Sequence, residues 1–350
     1  MRSRVGAVAL VLLGLSVGFA LLVAATPLGR YLARAAWEEG RILRNREPIA
    51  RLVRDSTLDT ATRDKLRLVL EARAFANDSL RLPAEDAFTQ FTRLDGDTLV
   101  LVLSGARKDW LVAKTWWFPI VGRVPYKGYF ELEDAQRDEQ ALALEGFDTY
   151  LRPAAAFSTL GWFNDPLLST TLTTDSVELV NTVIHELTHN RYYAKGAAVF
   201  NESFANFVGA RGAERFFLAR GDSARAARSV ARWADDRVLA AYWAQLYRGL
   251  DSVFRSHAGD SLRAERLALR DSVYRDARRA LVDSIGPQLR TIASVFAERV
   301  RLDNAALMAR RIYLTDLEYF ERVFGEEGSD LERAIARLIR EHRESGRRRD

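Results

Sequence analysis

Cysteine is missing altogether and histidine nearly so: the 350 residues hold Cys 0 and His 4. Without a thiol there is no cysteine nucleophile, no disulfide and no thiolate ligand for a closed structural metal site. The same lack excludes a lipid anchor on a cysteine, while leaving the compartment open. Charge of one sign is also scarce in runs. Lys+Arg 52 against Asp+Glu 47 gives a formal net charge of +5 and a pI near 9.5, but the arginines are spread among the acids. Apart from Arg347-Arg348-Arg349, no basic run alternates with aromatics, so no nucleic-acid partner is expected. At 48% hydrophobic the chain can bury a full core, in one large domain or two.

A long uncharged run does occur, from Val5 to Thr26, enough for the roughly 20 residues that cross a bilayer. Arg2, Arg4 and the amino group precede it and favour an inside amino terminus, against which Arg30 and Arg34 weigh from the far side. Residues 1–29 are therefore expected to form a single-pass anchor in the inner (cytoplasmic) membrane, with the rest extracytoplasmic or periplasmic. A cleaved signal peptide ending near Val23-Ala24-Ala25 is the alternative.

Two of the few histidines stand together in Val183-Ile184-His185-Glu186-Leu187-Thr188-His189. At i and i+4 they share a helix face, so their imidazoles can converge on one metal ion. Leu179, Val180, Val183, Ile184 and Leu187 are apolar at helical spacing, which suits a buried helix. Two imidazoles buried without a partner are costly, and a metal removes that cost. Glu202 follows His189 by 13 residues in Phe200-Asn201-Glu202-Ser203-Phe204-Ala205; a turn and a second helix could return its carboxylate as third ligand. Capping of that helix by Glu202 or Asn201 is the plainer role. Two histidines and a carboxylate leave a fourth position for water on Zn2+, the arrangement of catalytic zinc. Glu186 then stands where a general base belongs, and Asn206, a turn beyond Glu202, could orient a ligand or be an ordinary helix residue.

Longer blocks lie around this motif: Tyr31 to Ala36, Arg46-Glu47-Pro48-Ile49, Thr115-Trp116-Trp117-Phe118-Pro119, Val124 to Phe130 and Phe157 to Thr170. With His185 to His189 and Asn201 to Ala205 they resemble the bacterial predicted aminopeptidases of the zincin class, over roughly residues 30–215 and again near Asn304 and Tyr313. The glutamate block is similar to that of glutamate-zincin aminopeptidases, at a shorter distance from the second histidine. Members of the family often place cysteines where Trp117 and Arg123 stand here, so that disulfide is absent. The resemblance implies a tyrosine or histidine donor for the oxyanion. Tyr313 is the favoured candidate, with Tyr192 and Tyr193 behind it and packing as the ordinary role of each; His257 and His342, in charged helical segments, read as solvated. Short extended pieces are read over 147–151 and 157–163; the resemblance places a cleft-edge strand at Gly161 to Pro166 and implies a partner for the substrate α-ammonium, for which Asp165 is the candidate, with a turn acid before Pro166 as the alternative.

The expected fold is α+β and zincin-like, a small sheet packed beside the metal helix with a largely helical carboxyl-terminal portion. Helices are expected over 30–53, 59–77, 133–145, 223–256, 260–284, 288–302, 304–324 and 329–343, with strands between residues 98 and 130. The domain reading is an anchor over 1–29, a metallopeptidase core over 30–220, a mostly solvated hairpin insertion over 221–285 and closing helices over 286–350. Recurrent Asp-Ser pairs at 222, 251, 260, 271 and 283 read as helix caps. The expected activity is zinc-dependent peptide hydrolysis, removing amino-terminal residues from a peptide substrate. An envelope endopeptidase is the alternative enzyme, and a membrane-anchored binding scaffold with a structural or vestigial zinc is the alternative from outside enzymology.

Overall fold

The computed structural model describes residues 14, 18, 25–94, 96, 100–118, 122–154 and 166–347. Most of the expected anchor, the strand read over 157–163 and Asp165 lie outside the described residues. Among the described residues no helix is long and apolar enough to cross a membrane. The chain is mixed α+β, with small sheets in its first half and helices thereafter.

Helix α1 (Pro27–Arg44) begins at Thr26, whose hydroxyl accepts from the Gly29 amide at 3.0 Å. The sequence reading ran this helix to residue 53. Pro48 prevents that, having no amide to donate, and the chain runs extended as β1 (Glu47–Pro48) before the single turn α2 (Ile49–Leu52). Asp59 then caps α3 (Thr60–Leu80), accepting from Thr62 N at 2.8 Å. Leu66, Val69, Ala72, Ala76 and Leu80 recur at helical spacing and are buried.

Strand β2 (Gln90–Thr92) pairs with β1 and, in parallel, with β8 (Leu167–Leu168). In the second sheet β3 (Val100–Arg107) lies between β6 (Tyr126–Tyr129) and β7 (Phe147–Ala154), both antiparallel to it. Strands β4 (Trp116–Phe118) and β5 (Gly122–Val124) form a small hairpin within the span 98–130 expected to hold strands. Helix α4 (Leu132–Leu144) covers one face of the second sheet: Lys127 Nζ donates to Asp138 at 2.8 Å and Thr149 Oγ1 to Glu139 at 2.9 Å. Neighbouring strand residues point to opposite faces. The aligned rows Tyr126–Ser104–Tyr150 and Gly128–Val102–Arg152 therefore belong to the face turned away from α4.

The helical half comprises α5 (Ser176–Arg191), α6 (Ala198–Ala219), α7 (Ser223–Ser256), α8 (Arg263–Ala280), α9 (Val295–Arg299), α10 (Asn304–Arg311), α11 (Leu317–Glu326) and α12 (Leu331–Arg347). One core joins α3, α5 and α6 to α11 and α12. A second gathers the later part of α7 with Tyr274, Leu281, Ala297, Val300 and Leu307. Helix α7 belongs to both, through Trp233 in the first and Trp243 in the second. It is thus not the solvated partner read from its charged composition: Trp233 and Trp243 are 2% and 1% exposed. Of the Asp-Ser pairs, Asp222 caps α7, accepting from Arg225 N at 3.0 Å.

The helix read over 304–324 is broken into α10 and α11. Asp316 adopts a left-handed backbone, φ +59°, and Ser203 on α6 supplies what the broken turn lacks. Its hydroxyl donates to Ile312 O and accepts from Thr315 N, each at 3.0 Å. The helix read over 288–302 shrinks to α9.

Candidate metal centre

The site begins with a cap. Asp175 accepts from Val177 N at 2.9 Å and Glu178 N at 3.0 Å, which starts α5 and fixes its register. Arg228 and Arg232 on α7 reach the same carboxylate at 3.2 and 3.1 Å. Val177, Leu179, Val180, Val183, Ile184 and Leu187 are buried, which turns the His185 and His189 face toward α6. The two imidazoles meet edge to face with centroids 5.1 Å apart.

Helix α6 is brought back by a tight turn. Asn201 is not its cap: the helix starts at Ala198, and the Asn201 amide instead grips Ala194 from both sides, accepting from N at 2.9 Å and donating to O at 2.8 Å. Gly196, at φ +80°, supplies the left-handed turn residue. Glycines then let α6 approach α5 closely. A Cβ at Gly209 would fall 2.9 Å from the backbone oxygen of Asn181, and one at Gly212 2.8 Å from Ile184 Cγ2.

At this separation Glu202 spans the two histidines. His185 Nε2 is 3.3 Å from Glu202 Oε2, and His189 Nε2 is 3.7 Å from Oε1. One donor atom from each of the three residues lies within 4.8 Å of the others. A tetrahedral ion with bonds of about 2.0–2.1 Å sets its ligand atoms about 3.3–3.4 Å apart, so the donor set fits a zinc-sized cation. The outer nitrogen of His189 is buried with no hydrogen-bond partner among the described residues.

Burial opposes charge on all three groups, and the pairing decides the outcome. His185 is held above the ordinary histidine value, because its hydrogen bond to Glu202 and the Glu186 charge outweigh burial. His189 is pushed down to about 4 by burial and by His185. Glu202 stays below the usual carboxylate range through its contacts with both histidines, despite burial. Glu186 is exposed, on the next residue of the same turn, and its charge reaches both His185 and Tyr313.

Tyr313 stands in the break between α10 and α11, on the loop that Ser203 pins; Asn206 Nδ2 also donates to its carbonyl at 3.4 Å. Asn206 therefore serves this loop. Although 38% of Tyr313 is exposed, desolvation and the negative charge of Glu202 push its hydroxyl up to about 12. Tyr192 is engaged elsewhere, its hydroxyl 3.0 Å from His342 Nδ1. His342, read as solvated, stacks on Phe200 at 3.8 Å. Tyr193 is 56% exposed, with its ring 6.1 Å from that of His189. His257 closes α7, its Nδ1 2.9 Å from Ser256 Oγ.

Two neighbours of the site were not read from the sequence. Tyr126 on β6 is raised above the ordinary tyrosine value by desolvation and by the Glu202 charge. Arg152 on β7 acts on both Tyr126 and Tyr313. Their strand positions put them on the sheet face turned from α4, but nothing in the local sequence says what that face would meet.

The fold and the cluster define an α+β protein with a histidine–carboxylate donor set between two packed helices. The family model described as "Putative aminopeptidase" matches residues 30–350, and the chain belongs to that family. No curated protein and no solved structure gave a match.

Proposed function

We propose that this protein is a zinc-dependent, zincin-like aminopeptidase, with His185, His189 and Glu202 as ligands and Glu186 as general base. The observation that carries this reading is the convergence of the three donors, with Glu186 exposed one residue from His185. When bound, Zn2+ would supply Lewis acidity and lower the pKa of water to about 7. Glu186 takes a proton from the attacking water onto its carboxylate and returns it to the leaving amine nitrogen. Tyr313 keeps its proton at neutral pH, as its raised pKa requires, and donates it as a hydrogen bond to the developing oxyanion. Tyr126 is a second protonated phenol beside the same charge. Asp165 is proposed, on the resemblance, to pair with the substrate α-ammonium.

The test uses the whole chain. Purified protein should carry about one zinc, lost in His185→Ala, and should release amino acids from a free-amine peptide faster than from the acetylated one. Glu186→Gln should keep the metal and lose at least ~10²–10⁴-fold in turnover. Native turnover in Glu186→Gln, or zinc content indifferent to His185→Ala, would end the proposal. The uncharged run of residues 5–26 supports an anchor with the catalytic part outside the cytoplasm, which accessibility of Tyr193 to external protease or label would test.

A further inference from the structure

A guanidinium beside a candidate metal centre is an unusual neighbour, because the cation it would adjoin is positive too. Arg152 is half-buried on β7, an edge strand of the second sheet. It shares the face turned from α4 with Tyr126 and Tyr150, in rows fixed by pairing through Ser104 and Val102. Helix α10 lies on that face, with Asn304 N donating to Asp148 and Arg310 over Tyr150, and the chain then passes into the Tyr313 loop that Ser203, next to Glu202, pins; the Arg152 charge accordingly acts on Tyr126 and Tyr313.

A second guanidinium stands close to Arg152. Arg310 on α10 lies over the ring of Tyr150 at 5.2 Å and over Trp243 at 5.2 Å, and feels both the attraction of Asp303 and the repulsion of Arg152. Asp148, the acid on the same strand face, is held instead by Arg270 and by the Asn304 amide. Three nearby guanidiniums do have carboxylate partners: Arg270 on Asp148, Arg266 on Asp109, Arg301 on Asp303. Among the described residues neither Arg152 nor Arg310 is ion-paired. Two guanidiniums side by side, neither in an ion pair among the described residues, favour an anionic ligand.

We propose that Arg152 binds a carboxylate of the substrate and thereby makes the site selective for peptides that bring a negative charge into the cleft. This rests on the peptidase reading above and deepens it. The carboxylate has two sources, the free carboxyl terminus of a short peptide or an acidic side chain. The planar fork of Arg152 suits either, as paired N–H donors to two carboxylate oxygens.

Calorimetry on the full-length Glu186→Gln protein tests this, because it reads binding without needing turnover. The probes are trialanine, trialanine amide, and the amides of Ala-Glu-Ala and Ala-Gln-Ala. A carboxyl-terminal source predicts trialanine binding at least about 10-fold more tightly than its amide, ~1.4 kcal/mol. A side-chain source predicts the same margin for Ala-Glu-Ala amide over Ala-Gln-Ala amide. Whichever margin appears should collapse in an Arg152→Gln background and partly survive in Arg152→Lys. Thermal melts establish that each variant is folded, and the comparisons in the Arg152-containing protein stand without them. No preference for either carboxylate, or a preference unchanged in folded Arg152→Gln, overturns the proposal. Those outcomes are separate from failure of the peptidase reading, which shows as native turnover in Glu186→Gln.

Discussion

Replacing Gly209 by alanine tests what sets the spacing of the donor set. Its added Cβ would lie 2.2 Å from Asn181 Oδ1 and 2.9 Å from the Asn181 backbone oxygen. The amide side chain can rotate away, but the carbonyl belongs to α5 and can retreat only if the helices part. Overpacking of this kind costs about 1–3 kcal/mol, while alanine returns about 1 kcal/mol of helix propensity over glycine. The net expectation is a loss of roughly 0–2 kcal/mol, against a gain in the control below. Gly209 lies two turns beyond Glu202, and Asn181 one turn before His185, so the helices would part beside the cluster. Urea unfolding with parallel metal analysis is the assay, and Gly249→Ala is the control. There the new Cβ would meet Val273 Cγ1 at an ordinary 3.7 Å, and the same propensity gain should stabilise by about 0.5–1 kcal/mol. If Gly209→Ala is as stable as Gly249→Ala and holds as much zinc, close helix approach does not set the site.

Ser203→Ala removes the hydroxyl that serves both Ile312 O and Thr315 N; a loss of about 1–3 kcal/mol is expected, with kcat falling more than zinc content as the Tyr313 loop loosens. Tyr313→Phe should leave metal content intact and lower kcat by about 10²-fold or more; unchanged kcat would remove it from the mechanism. Asp236 on α7 is pushed up to about 7 by burial and by Glu178. A carboxyl raised in the folded state is protonated at low cost below the unfolded value near 4, and its penalty grows as pH rises to about 7. Asp236→Asn should therefore gain stability over the wild type across that window, on the order of 1–2 kcal/mol after allowing for its partial exposure; equal stability at pH 4 and pH 8 would contradict it. Asp165→Asn should weaken kcat/KM more for free-amine than for acetylated peptides, and equal losses would favour an endopeptidase.

How much of this was legible beforehand depended on the range of the forces involved. The i, i+4 histidines and the apolar face of α5 are local, and the α+β class with a helical second half follows from periodicity. The return of Glu202 could be suggested by spacing, whereas the glycine contacts that set its distance become visible only with both helices in place. The break at Tyr313 was missed because Ser203, 109 residues earlier than Ile312 in the chain, satisfies the interrupted turn. Helix α7 looked solvated because its arginines dominate the composition, although Arg228, Arg232 and Arg237 reach acids on other elements. Arg152 carried no local sign of its place, since strand alternation names two faces and does not say which one meets α10.

Helix α7 also ties the cap of α5 to a core that α5 does not enter. Arg228 and Arg232 hold Asp175 from the same rod whose far end anchors the second core. Mechanical continuity of this kind links the two halves in unfolding: loss of packing around Trp243 frees the rod, and the rod then releases the start of α5. Amide exchange near His185 should consequently follow the slow, global opening of the molecule instead of a local fraying of its own.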